Sequence, residues 1–79
     1  MTRSATVRTD VDDPELVAGA VRPDNTAEME TRVEDGAVVT RIERDDTGGL
    51  QSTVDDYVVN LTVAVEVAQH ANRHTTHNP

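Results

Sequence analysis

The residues of this chain best suited to chemistry are three pairs of neighbouring aspartates. Enzymes use adjacent acids as general acid and base, and metal sites use them as oxygen ligands. Two of the pairs stand where a helix is expected to begin, and the third stands in a turn-rich segment. Helix capping and solvation therefore account for all three, and we expect neither a catalytic residue nor an enzyme. The pairs are Asp12 with Asp13, Asp45 with Asp46, and Asp55 with Asp56.

Three histidines have the spacing that would align them on a helix, as a zinc site requires: His70, His74 and His77. They stand in a segment rich in threonine and asparagine, with no neighbouring group to orient their rings. Gly48-Gly49 is too short for a phosphate-binding loop, and Ser52 has no histidine nearby in the sequence to activate it. The sequence therefore predicts no metal site and no cofactor.

Charge is the strongest feature of the composition, with 15 acidic residues against 7 basic ones and a formal net charge of -8. All the basic residues are arginine. An acidic surface without lysine suits a protein kept in solution by hydrated carboxylates in concentrated salt, so we expect a halophilic cytoplasm. There is no cysteine, no apolar run of the ~18 residues that a membrane span needs, and no signal-peptide pattern.

Local patterns predict the first two elements of a single domain comprising residues 1–79, with an ordered core at about 4–70 and a flexible tail at 71–79. Alternating residues from Ala5 to Val11 indicate a half-buried strand. Asp13 suits a helix N-cap and Pro14 the first helical position, so a short helix should run to about Val21. The 3.6-residue period places Leu16, Val17, Ala20 and Val21 on one face of this helix.

A hairpin follows the first helix. Residues 27–34 alternate in polarity, and Asp35-Gly36 then supplies the positive φ angles of a two-residue turn. This turn predicts a register in which Met29 faces Ile42, Thr31 faces Thr40 and Val33 faces Val38. A slip of one residue would send the apolar side chains outward, so the register is well determined.

The last element is a long helix, expected from about Val54 to about His70 after a turn at residues 45–49, with Ser52 or Thr53 as its cap. The order of elements predicts an α+β fold, β-α-β-β-α, with a three-stranded antiparallel sheet and both helices on one face. A right-handed crossover places the third strand between the first and the second.

The long helix has two apolar stripes. A broad stripe suits packing on the sheet, while Val59, Val63 and Val67 recur at steps of four on the opposite side. These three valines either pack against the first helix or form a surface for another molecule. We favour the second interpretation because the stripes lie roughly 160 to 180° apart around the helix. The stripe expected to face the sheet consists of Val54, Tyr57, Val58, Leu61, Ala64, Val65 and Ala68.

Two stretches, Val21-Arg22-Pro23-Asp24-Asn25 and Leu50-Gln51-Ser52-Thr53-Val54-Asp55-Asp56-Tyr57-Val58-Val59-Asn60-Leu61, resemble the small Pcc/LAGE-type subunit of the KEOPS complex. The resemblance extends over nearly the whole chain, from Ala5 to Ala68, and the composition suggests a halophilic archaeon as the source. The order of elements in that family agrees with the order predicted here.

The resemblance implies a non-catalytic dimerisation subunit. In the family, its two helices pack on N-terminal helices of the threonylcarbamoyltransferase subunit, beside which a kinase-like subunit binds, and the homodimer joins two assemblies. The complex installs threonylcarbamoyl on an adenosine next to the tRNA anticodon, and the chemistry belongs to the transferase. Carried over to this sequence, the packing role falls on Val59, Val63 and Val67, with Leu16 and Ala20 as further candidates.

Relatives often have Ser-Leu-Arg just before the second helix, where this chain has Gly49-Leu50-Gln51. Any direct contact with tRNA would then fall on Arg8, Arg32 and Arg41 of the outer sheet face. An alternative class is a freestanding KH-like nucleic-acid-binding module, which the missing Gly-x-x-Gly loop and stacking aromatics disfavour. A ferredoxin-like small-molecule sensor is a third class, resting on fold analogy alone.

Overall fold

The computed structural model describes residues 1–76, with side chains through Ala71. It confirms the predicted order of elements and the three-stranded antiparallel sheet packed against two helices. The predicted strand boundaries agree with the structure to within a few residues. The elements are β1 (Arg3–Asp10), α1 (Pro14–Val21), a 3-10 turn (Arg22–Asp24), β2 (Met29–Glu34), β3 (Ala37–Arg44) and α2 (Thr47–Thr76).

The hairpin between β2 and β3 has the predicted turn and register. Asp35 and Gly36 have φ angles of 51° and 76°, the left-handed pair that a two-residue hairpin loop requires. Met29 pairs with Ile42, as predicted, and the other predicted pairs are equally confirmed. The strand order is β1-β3-β2, so β3 lies in the centre, as a right-handed crossover demands.

Helix α1 begins as predicted, and only part of its apolar face is buried. The Asp13 carboxylate accepts a hydrogen bond from the Leu16 backbone N–H at 3.3 Å, which makes Asp13 the N-cap. The buried residues are Val17, Ala18 and Val21, whereas Leu16 is 42% exposed and Ala20 is also exposed. The predicted face is therefore divided, with Val17 and Val21 in the core and Leu16 and Ala20 at the surface.

Helix α2 begins at Thr47, about two turns before the predicted start. The Asp46 carboxylate accepts a hydrogen bond from the Gly49 N–H, and the Asp46 carbonyl accepts one from the Leu50 N–H at 3.0 Å. Asp46 is therefore the N-cap, and the glycine-rich segment predicted as a turn is the first helical turn. Thr53, predicted as a possible cap, lies buried inside the helix.

Helix α2 also continues to Thr76, beyond the predicted end at His70, and residues 77–79 of the predicted tail lie outside the described residues. Its length alone does not make it a membrane segment, because it includes carboxylates such as Asp55 and Glu66. Over the part of the chain that the structure describes, no helix is both long and apolar enough to cross a membrane.

A single core lies between the helices and the inner face of the sheet. Val58, expected in it, is 43% exposed, because it lies at the edge of the buried stripe of α2, about 100° around the helix from Tyr57. Val54 and Val65 are half-buried at the margin. The core residues are Val17, Ala18, Val21, Val38, Ile42, Tyr57, Leu61, Ala64 and Ala68.

Candidate protein-docking face of helix α2

The most unusual surface of the domain is a row of valines on α2. Val59, Val63 and Val67, hereafter the outer stripe, are 63%, 54% and 58% exposed. Tyr57, on the opposite side of the same helix, is only 1% exposed. The helix therefore has one apolar face on its own sheet and another directed to solvent.

The alternative that the outer stripe is buried against α1 within the chain does not hold in this structure. Although α1 and α2 pack together, more than half of each outer-stripe valine remains accessible. From Val59 to Val67 the stripe is roughly 12 Å long at 1.5 Å per residue. Full burial of one valine stabilises by roughly 1.5 kcal/mol or more, so covering the stripe would release a useful fraction of a binding free energy.

The two candidates on α1 also lie at the surface. Leu16 is 42% exposed, and Ala20 is exposed as well, so neither is needed to complete the core. Val58 adds a further exposed apolar side chain, which the sequence assigned to the core stripe. In the sequence, only the position of Val58 at the border of the two stripes indicated that it would be exposed.

Beneath α2, a chain of polar side chains crosses the core. The Tyr57 hydroxyl lies 2.6 Å from the Thr40 hydroxyl, which lies 2.7 Å from the Thr31 hydroxyl. The Asn25 amide donates to the Thr31 hydroxyl at 2.7 Å. The whole Tyr57 residue is buried, and its hydroxyl is satisfied inside the core.

This polar chain connects the two stretches that carry the family resemblance. Asn25 ends the first stretch and Tyr57 lies within the second, and the cross-strand pair Thr31 and Thr40 joins them. The predicted hairpin register already placed Thr31 opposite Thr40, so the sequence contained part of this information. The arrangement fixes α2 on the sheet and offers no nucleophile paired with a base.

Burial raises the pKa of the Tyr57 hydroxyl above its ordinary value of 10.0, although its hydrogen bonds with Thr40 and Thr31 oppose the shift. Stability from this neutral hydroxyl is therefore fully present below about pH 10 and is lost as the pH rises through the folded-state pKa. The chain contains no lysine, no cysteine and one tyrosine. Tyr57 is thus the only side chain expected to titrate between about pH 9 and pH 12.

We expect tyrosinate absorbance to appear at a higher pH in the folded chain than in the same chain unfolded by denaturant, because the core disfavours the anion. The free energy of unfolding should fall over that pH interval, whereas Tyr57→Phe should show no such fall. Coincident titrations of the folded and unfolded chains would contradict the buried position of the hydroxyl.

The candidate RNA contacts lie together on the outer face of the sheet, but each guanidinium already has a carboxylate partner. Arg8 of β1 and Arg32 of β2 lie on either side of Val39, the residue of β3 opposite both of them. Arg41 lies two residues further along β3, on the same face. The hydrogen bond from Arg32 also lowers the pKa of Glu34. Alternating charges of this kind give no continuous basic surface for phosphates. The ion pairs are Arg8 with Asp10 at 3.5 Å, Arg32 with Glu34 at 2.8 Å, and Arg41 with Glu43 at 3.1 Å.

Among the side chains that the structure describes, the carboxylate pairs form no evident site. Asp13 and Asp46 are occupied as helix caps. Over the residues that the structure describes, no group of three histidine, cysteine or acidic side chains could hold a metal ion. The side chains of His74 and His77 lie outside that part of the chain.

The sequence matches no protein-family model, and no curated protein matches it. The fold and the exposed side chains of the chain therefore define its class. It is a small α+β domain whose long helix has one face in the core and a second apolar face in solvent. Such a face is typical of domains that bind other proteins.

Proposed function

We propose that this chain is a non-catalytic scaffold subunit of the KEOPS complex, which modifies tRNA with threonylcarbamoyladenosine. In this proposal its helices dock the threonylcarbamoyltransferase subunit, and through that subunit the chain is connected to the kinase-like subunit. The observation that carries the proposal is the exposure of Val59, Val63 and Val67, each more than half accessible. The family resemblance supplies the name of the partner.

A docking role fits the energetics of the domain. A 79-residue chain buries only about 60% of its unfolded surface, and this one has a single aromatic residue, so its core is small. Binding of a partner to the folded state alone would add stability by mass action. An apolar helix face is well suited to such binding, because another helix can pack its side chains between those of the stripe.

The polar chain under α2 supports the same role. Asn25, Thr31, Thr40 and Tyr57 tie the long helix to the sheet through hydrogen bonds of 2.6 to 2.7 Å. A helix held in this way presents its outer stripe in one orientation, so little entropy is lost when the partner binds. The stretches that carry the resemblance therefore contribute to positioning the docking face.

In this role the chain needs no cofactor, and contact with tRNA is indirect or weak. The ion pairs of Arg8, Arg32 and Arg41 leave little positive charge for phosphate on the outer sheet face. We place the assembly in the cytoplasm of a halophile, where the net charge of -8 favours solubility.

The proposal is tested by using this chain as bait in a lysate prepared at high salt. We expect specific retention of the threonylcarbamoyltransferase subunit, identified by mass spectrometry. Retention of RNA without that subunit would instead favour the freestanding KH-like module and would overturn the proposal.

The homodimer is a separate prediction. We expect light scattering of the purified chain in molar KCl to give twice the monomer mass of 8.6 kDa. A mass of one chain at all concentrations would remove the dimer from the proposal and leave the docking of the transferase to stand alone.

A further inference from the structure

Charge is distributed unequally between the two sides of this domain. The arginines whose side chains the structure describes lie in the three strands and in the 3-10 turn. Helix α1 and the part of α2 through Ala71 contain no arginine, and their charged residues are Glu15, Asp55, Asp56 and Glu66, with His70 as the only titratable base. The helical side is thus acidic, whereas the sheet side has mixed charge.

The acidic residues border the outer stripe. Asp56 lies one turn before Val59, and Glu66 lies one turn after Val63, so carboxylates border the stripe near both of its ends. Asp56 also lines a shallow depression beside Val59, with Asp24 and Glu28 on its far side. Among the described side chains, Asp24, Asp56 and Glu66 form no salt bridge.

The one arginine in that depression is already engaged. Arg44 donates to the Thr53 hydroxyl at 2.7 Å, and its guanidinium lies 3.3 Å from the Glu28 carboxylate. It therefore does not neutralise Asp24 or Asp56. Covering these carboxylates with an apolar or acidic surface would remove water from them without compensation, which is costly.

We infer that the partner surface docking on the outer stripe has an apolar ridge bordered by arginine or lysine side chains. This inference rests on the proposed function and specifies the chemistry of the partner's docking surface. A basic border would pair with Asp56 and Glu66 at the rim, while the apolar ridge covers the valines. A second copy of this chain is a poorer occupant, because it would bring another acidic helical face.

The test compares two double variants that change charge equally. Asp56→Lys with Glu66→Lys reverses the border of the stripe, whereas Glu30→Lys with Asp45→Lys alters exposed acids away from it. Affinity for the transferase subunit is measured by calorimetry, at the lowest KCl concentration at which circular dichroism shows every variant folded. We expect the border variant to bind at least about tenfold more weakly than its control, with a difference that shrinks as salt is added.

Equal or tighter binding by the border variant would overturn the inference of a basic partner surface. If Val63→Asp abolishes binding while the border variant binds normally, the proposed function stands and only this inference fails. If neither variant affects binding, both fail. A homodimer that dissociates on Val63→Asp would identify a second copy as the occupant and would equally overturn the inference.

Discussion

Val63→Asp is expected to leave the isolated chain folded and to abolish binding of the threonylcarbamoyltransferase subunit. Val63 is 54% exposed in the free chain, so an aspartate there can remain hydrated and costs little stability. In the complex the carboxylate would be buried without a partner, at a cost of about 3 to 5 kcal/mol. This corresponds to a loss of affinity of roughly 100-fold to 1,000-fold or more.

Gln69→Asp is the matched control, because it adds the same charge to an exposed position of the same helix, outside the outer stripe. Its affinity for the transferase subunit, measured by calorimetry, should stay close to that of the unaltered chain. Undiminished binding by Val63→Asp would show that the outer stripe is not the docking surface.

The second large effect concerns stability. Thr40→Val is expected to lower the free energy of unfolding by about 1 to 3 kcal/mol, because Thr40 is fully buried and joins the Tyr57 and Thr31 hydroxyls. Without it, the Tyr57 hydroxyl loses its 2.6 Å partner and keeps only the Thr31 hydroxyl. Denaturant unfolding at constant salt measures the change.

The control for this effect is the double variant Thr40→Val with Tyr57→Phe. Because the phenylalanine removes the hydroxyl that has lost its Thr40 partner, the double variant should lose less stability than the sum of the two single losses. Additive losses would mean that the two hydroxyls contribute independently, contrary to the 2.6 Å contact.

The hairpin shows how far local patterns suffice. Asp35-Gly36 determines the turn, and the alternation of β2 then leaves one register that directs Met29 and Val33 to the core side of the sheet. The N-cap at Asp13 is equally local, because a side chain and the next turn of backbone decide it. The outer stripe was predictable too, since it depends only on the helical period.

The start of α2 was not predictable from local preference. Gly48 and Gly49 favour a turn, but Asp46 caps the helix there, and a side chain at Gly49 would approach the Arg44 guanidinium at 3.2 Å. Gly49 thus lies so close to Arg44 of β3 that a larger residue would crowd it. Tertiary packing of this kind outweighs the propensity of two glycines.

The burial of only part of the α1 face and the position of the Tyr57 hydroxyl have the same origin. The helical period groups Leu16 and Ala20 with two valines, and only the neighbouring helix and sheet decide that the valines are the buried pair. The Tyr57 hydroxyl is satisfied in the core because the Thr40 hydroxyl lies 2.6 Å from it. No pattern in a single sequence specifies this contact between a helix and a strand. The exposed surface was therefore easier to predict than the interior polar contacts.

Chemical labelling of α2 tests most directly whether another protein covers its solvent-facing apolar side. The chain has no cysteine, so Val63→Cys introduces a single thiol in the outer stripe and Gln69→Cys a single thiol outside it. Both thiols should react readily with a maleimide in the free chain. Addition of the transferase subunit should protect the thiol at position 63 and leave the thiol at position 69 reactive, whereas equal reactivity of the first thiol with and without that subunit would contradict the account.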